Sequence, residues 1–454
     1  MIATPQAANP EQGWEQRLLR NAGRSRGNKP EYQELKFTLH RKVLDRINLD
    51  ALAGIDNDRI RAEVRQAVLA IVDNEPNLLT AGEKQQISDE VLHEVFGLGP
   101  LEPLLQDPTI SDILVNGCRH VYVERKGILE ETNVRFHDDG HLLRIIDKIV
   151  SQVGRRVDES NPMVDARLTD GSRVNAIIPP LAVDGPLLSI RRFGTDKLMP
   201  ADLVAKTSLT AGMMQLLEAA VRARLNIIVS GGTGAGKTTL LNALSAFISP
   251  KERIVTIEDA AELQLKQPHL ARLETRPPNV EGQGAVRQRQ LLVNCLRMRP
   301  DRIIVGEVRG EEALDMLAAM NTGHDGSLTT IHANSPRDAI SRLEVMVALA
   351  NANMQLTAIR QQIASAVHII VQATRLADGT RRVTSVTEVT GIETDVVTLQ
   401  DIFVFEKRGV SPEGRVMGRF VASGILPKFN EKLIAAGIHL PTEIFDEILN
   451  IETE

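Results

Sequence analysis

From Leu35 onward, apolar residues recur at helical spacing. Leu35, Leu39, Val43, Ile47, Leu49 and Leu52 fall on one face, and Ile60, Val64, Val68 and Ile71 continue the period. A third periodic stretch follows Thr80, where Thr80-Ala-Gly-Glu83 has the form of a capping box, and runs through Ile87, Val91 and Val95. Three amphipathic helices with short turns predict a small bundle over 31–97. Residues 1–30 are rich in Ala, Asn, Gly, Pro and Arg and lack apolar periodicity, which predicts a mobile extension.

The helical period breaks between Gly97 and Pro103. Short strand-like runs such as Ile113-Leu-Val115 and His120-Val-Tyr-Val123 then alternate with a helical stretch from about His141 to Val153. This pattern predicts a small α/β domain over 98–200, with a hairpin turn at Asp170-Gly171. A linker near Gly194 to Lys206 leads into 201–454. There, apolar strands at Leu225–Val229, Arg253–Ile257, Ile303–Val305, Ser327–Ile331 and His368–Val371 alternate with helical segments. That rhythm predicts an α/β fold with a mostly parallel sheet, and the domain is expected to close with a C-terminal helical region.

Composition narrows this picture only modestly. A chain of 454 residues exceeds one ordinary core, so several domains are expected. The net charge of −6 disfavours a uniformly basic surface, and aromatic residues at 3% leave few platforms for stacking bases. Direct nucleic-acid binding is therefore not expected. Cys118 and Cys295 lack metal-type spacing and read as buried thiols in a reducing compartment. No apolar run approaches the ~18 residues that span a bilayer, so the expectation is a cytoplasmic protein that meets membranes only through partners.

The strongest chemical signal lies directly behind the first strand of the last domain. Gly231-Gly232-Thr233-Gly234-Ala235-Gly236-Lys237-Thr238-Thr239 is a complete G-x-x-x-x-G-K-T loop between an apolar strand and the helical stretch Leu240-Leu-Asn-Ala-Leu244. Its glycines permit backbone conformations that turn successive N–H groups onto phosphate oxygens, and the helix N-terminus behind them favours anionic charge. Lys237 is positioned to reach the β- and γ-phosphates, and the Thr238 hydroxyl to hold Mg²⁺. ATP with Mg²⁺ is the expected ligand.

Three further strand ends bring polar groups to the edge where ligands bind in open α/β sheets. After Arg253-Ile-Val-Thr-Ile come Glu258, Asp259 and Glu262, carboxylates suited to Mg²⁺ or to an attacking water, with a solvated acidic turn as the competing reading. In Arg302-Ile-Ile-Val-Gly-Glu-Val-Arg309, Gly306 stands where a Walker B strand usually ends in aspartate. Glu307 is then the candidate to polarise water, and metal binding shifts toward Thr238 and Glu258. His324 and His332 frame the strand Ser327–Ile331, where an imidazole can sense a γ-phosphate, although a lone histidine is more often structural.

In this order the motifs resemble the secretion ATPase superfamily of type II secretion, type IV pili and type IV secretion. Glu258, Asp259 and Glu262 match its Asp box, Glu307 its degenerate Walker B, and His324 to His332 its His box. Pro162-Met-Val-Asp-Ala-Arg-Leu, Asp170-Gly-Ser-Arg-Val-Asn-Ala-Ile-Ile-Pro-Pro and Ser189-Ile-Arg-Arg-Phe193 look specifically like the CpaF/TadA branch, which serves tight-adherence (Flp) pili. The resemblance spans about residues 31 to 425.

It implies a RecA-like ATPase domain, a homohexameric ring, inner-membrane platform proteins as partners and pilins as indirect ones. It also implies that Arg173, Arg191 and Arg192 of the preceding domain approach the phosphates; Arg191 and Arg192 alternate on a strand, so one of the two is expected to face the nucleotide. Three readings compete: a pilus ATPase motor, a conjugation-like DNA motor or related secretion ATPase, and a nucleotide-binding regulator without turnover.

Overall fold

The computed structural model describes residues 57–73, 80–125, 127–168, 170–192, 198–278 and 282–451. The N-terminal extension and the first expected helix lie outside the described residues. The chain divides into two compact units, Met1–Gly194 and Thr195–Glu454.

In the first unit, the helices Asn57–Asp73 and Ala81–Phe96 pack together, and Arg65 pairs with Asp89 at 2.7 Å. Thr80 caps the second helix as its sequence implies: its hydroxyl accepts from the Glu83 N–H at 3.3 Å, and Glu83 Oε2 accepts from the Thr80 N–H at 2.8 Å. Six strands follow: β1 (Ile110–Asn116), β2 (His120–Arg125), β3 (Ile128–Glu131), β4 (Met163–Arg167), β5 (Arg173–Ile177) and β6 (Leu187–Arg191). They form an antiparallel sheet in the order β3-β2-β1-β6-β5-β4. The amphipathic helix Asp139–Gln152 contributes Leu142, Ile145, Ile146 and Ile149 to the same core as Ile113, Val121, Leu188 and Ile190.

The second unit is built on ten strands: β7 (Ile227–Gly231), β8 (Ile254–Glu258), β9 (Leu270–Glu274), β10 (Arg302–Val308), β11 (Leu328–Ile331), β12 (Ile369–Arg375), β13 (Arg381–Glu393), β14 (Val396–Val410), β15 (Val416–Ala422) and β16 (Ile448–Ile451). From β9 through β8, β10, β11 and β7 to β12 every pairing is parallel. β7, β8 and β11 are buried along their whole length, because helices cover both faces, and this explains their unbroken apolar runs. The helices Ala211–Arg222 and Lys237–Ser245 pack on one face, and Glu312–Asn321, Pro336–Ala350 and Leu356–Ala366 on the other. Each fully buried Ile, Val or Leu in these layers contributes about 1.5–3 kcal/mol.

The sequence expectation fails beyond β12. In place of a C-terminal helical region, β12 to β16 form an antiparallel meander, and the six-residue helix Asn430–Ala435 is the one α-helix among the described residues after 380. The sheet as a whole is therefore mixed, with the expected parallel half from β9 to β12 and an antiparallel extension beyond it. The cause is local composition: Arg381–Glu393 and Val396–Val410 are dense in Val, Ile, Thr and Phe, which fit a pleated, half-buried surface better than a helix. Among the described residues, no helix is long and apolar enough to cross a membrane.

Candidate functional site

The glycine-rich loop leaves β7 at its C-terminal edge. Gly231 has to lack a side chain, since a Cβ there would lie 2.4 Å from the Ala373 carbonyl of the neighbouring β12. Gly236 adopts φ +92° as the N-cap of the Lys237–Ser245 helix, a left-handed conformation that favours glycine, and Gly234 sits at φ +69°. Ala235 is buried beneath the loop, Thr233 is exposed, and Gly232, Thr238 and Thr239 are half-buried. Lys237 Nζ donates to the carbonyls of Gly231 at 3.0 Å and Gly232 at 3.1 Å, so the ammonium lies across the mouth of the loop. Sequence reading missed one contact here: Arg381, opening β13, donates from Nε to the Gly234 carbonyl at 2.8 Å. A separation of 147 residues leaves no local signal for that contact.

Because β7, β8, β10 and β11 are parallel, their C-terminal ends share the edge that carries the loop. Glu258 ends β8 and is 3% exposed. Its Oε1 accepts from the N–H groups of Glu262 and Leu263, both at 2.8 Å, which fixes the turn that follows. Burial pushes the Glu258 carboxyl above its ordinary range, against the pull of those two N–H groups. Its Oε2 is buried and has no hydrogen-bond partner. A buried carboxylate oxygen needs one, and a hard cation that takes oxygen ligands fits, with the Thr238 hydroxyl as the second oxygen donor of the predicted set. Glu262 is half-buried on the turn, where its backbone serves Glu258.

Glu307, on β10, retains 22% side-chain exposure and pairs with Arg309 at 2.9 Å. The same guanidinium reaches Asp259 at 3.2 Å, joining the ends of β8 and β10 through a residue absent from the sequence-derived set. Proximity to Glu307, chiefly through this hydrogen bond, raises the Arg309 pKa. Period-2 spacing carried one residue past the end of β10 puts Glu307 and Arg309 on one side and could have revealed the pair.

His332 follows β11 directly at the loop edge. Its strand end is steadied by Gln372, whose buried amide donates to the Ala333 carbonyl at 3.2 Å. His324 differs. It precedes β11 and so lies at the opposite edge of the sheet, its N–H bonded to the Ala319 carbonyl and its carbonyl accepting from Ser327 Oγ. A strand has one C-terminal end, so the two histidines that flank it in sequence cannot both meet one nucleotide in this unit. The expectation for His324 is corrected accordingly.

The predicted arginines belong to the first unit. Arg173 and Arg191 are directly opposite across β5 and β6, and Arg167 is opposite Arg173 on β4, which makes a row of three guanidinium-bearing positions across the sheet. Arg191 is exposed. Arg192 is committed elsewhere, since its guanidinium donates to the carbonyls of Asp107 and Ile110. That use in holding the 107–110 turn replaces the phosphate role expected for Arg192.

A family model described as type II/IV secretion system protein matches residues 94–419. A putative conjugal transfer protein of Mycobacterium tuberculosis is 42% identical over 301 residues, covering 64% of this chain and 84% of that protein. The conjugal transfer protein TrbB of Rhizobium radiobacter is 35% identical over 291 residues, covering 63% and 86%. Among solved structures, the VirB11 ATPase from the Brucella suis type IV secretion system, in complex with sulphate, is 30% identical with a TM-score of 0.36, covering 64% of this chain and 93% of that one.

Proposed function

Because the chain belongs to the type II/IV secretion system protein family, we propose that it is a homohexameric ATPase motor that drives tight-adherence (Flp) pilus assembly through an inner-membrane platform protein. The observation that carries the ATPase reading is the single sheet edge holding Lys237, Glu258, Glu307 and His332. Lys237 exchanges its two loop carbonyls for β- and γ-phosphate oxygens. Glu307, held by Arg309, orients the attacking water, and His332 registers the γ-phosphate. Bound Mg²⁺, held at the Thr238 hydroxyl and the Glu258 carboxylate, supplies neutralisation of phosphate charge. Pilins are moved only indirectly.

The motor reading is tested by turnover and assembly state. Purified protein should hydrolyse ATP, and native mass measurement with a non-hydrolysable analogue should give six subunits; a persistent monomer argues against the ring. Deletion of the gene should abolish labelled pili in living cells. A conjugation-like DNA motor is the second reading, favoured by the two conjugal transfer relatives and opposed by the acidic net charge. DNA-stimulated turnover, with pili intact after deletion, decides for that reading.

His332→Ala tests coupling. It should impair pilus extension and retraction at least as severely as ATP turnover, because nucleotide binding survives while the γ-phosphate signal to β11 weakens. Normal pilus speed beside reduced turnover rejects the sensor role.

A further inference from the structure

Gly306 interrupts an otherwise ordinary Walker B strand, and backbone conformation does not require it: it is absent from the glycines with positive φ. Space does. A Cβ at 306 would lie 2.8 Å from Glu258 Cγ, closer than real Cβ contacts allow, while Glu258 Cβ and Oε1, both at 3.5 Å, would be at ordinary contact distance. β8 and β10 are parallel neighbours with Val305 opposite Ile257, so the next residue along β8, Glu258, projects across Gly306.

Neither partner has room to yield. Glu258 is buried, and its Oε1 is tied to two backbone N–H groups. The Gly306 carbonyl accepts from Thr330 Oγ1 of β11 at 2.7 Å, which pins this backbone from its other side. The remaining Glu258 oxygen, Oε2, is buried without a partner.

We propose that Glu258 and Gly306 are one exchanged position: the carboxylate that a Walker B strand ordinarily carries at 306 is supplied from the adjacent strand by Glu258, and Gly306 is the positioning residue that admits its stem. The inference rests on the nucleotide-binding reading for the role of Oε2, but its packing half stands without it. The competing account makes Glu258 only a cap for the turn at Glu262 and Leu263.

Thermal melting of the nucleotide-free protein tests the packing half. Gly306→Ala should lower the melting temperature by at least about 4 °C in the wild-type background and by much less in Glu258→Ala, where the stem is gone. Equal losses in both backgrounds overturn it.

Manganese titration of the ADP complex, followed by electron paramagnetic resonance, tests the carboxylate half. Glu258→Gln preserves the turn cap and the volume but removes the charge, and should weaken Mn²⁺ binding by roughly tenfold or more. Gly306→Asp in the Glu258→Ala background should recover affinity relative to Glu258→Ala alone. Unchanged Mn²⁺ affinity in Glu258→Gln, or no recovery in a folded double variant, leaves Glu258 as a turn cap and overturns the exchange. Fluorescent ADP binding separates the two levels: a wild-type protein that binds no nucleotide refutes the function reading and the role of Oε2 together, while the melting comparison still decides the packing.

Discussion

Lys237→Ala is expected to reduce ATP turnover by roughly 10³-fold or more, a loss of about 4 kcal/mol of transition-state stabilisation. The ammonium donates to the Gly231 and Gly232 carbonyls. Nucleotide replaces those dipoles with full negative charge, and charge-assisted hydrogen bonds of this kind contribute about 1.5–3 kcal/mol each in the ground state. The rest of the effect arises as charge moves onto the β–γ bridge and terminal oxygens during transfer. The fold should survive, because Lys237 is only half-buried at the first residue of its helix and alanine suits a helix well. Turnover, fluorescent ADP binding and melting on one preparation check this together. Near-normal turnover in a variant with unchanged melting removes the phosphate-loop assignment, whereas Lys237→Arg with intermediate turnover supports a positional role for the charge.

What could be read from the sequence were features written within a few residues. The phosphate loop, the capping box at Thr80 and the buried strands behind Glu258 and Gly306 all carry their cause locally, in glycine placement, hydroxyl-to-carboxylate spacing and unbroken apolar runs. Features that depend on a neighbouring strand were invisible. The missing aspartate at Gly306 was plain, but its reason lies in a side chain 48 residues earlier that only the β8–β10 register brings against it. Arg381 reaches Gly234 because β12 pairs with β7 and then turns back into β13. His324 and His332 looked equivalent because sequence spacing is symmetric about a strand and strand direction is not. Arg192 looked like a phosphate ligand because nothing local shows that the carbonyls of Asp107 and Ile110 lie within its reach. The meander after β12 was misread because a helical ending was expected where β-branched density already favoured strands.

Glu307→Gln is expected to separate binding from chemistry. Glutamine matches glutamate in size, and its Oε1 can still accept the Arg309 hydrogen bond, so the bridge from Glu307 through Arg309 to Asp259 keeps its geometry. What disappears is the negative charge that orients and polarises water. ATP affinity should therefore stay within about threefold of wild type while kcat falls by roughly 10²-fold or more. Arg309→Lys offers the complementary measurement: a lysine cannot span both carboxylates with a planar fork, so kcat should drop while KM changes little. Single-turnover rates with ATP, alongside equilibrium binding of a non-hydrolysable analogue, distinguish the outcomes. If affinity and rate fall in parallel in Glu307→Gln, the carboxylate holds metal or structure rather than water. The general base must then be sought among the other carboxylates after β8, Asp259 and Glu262.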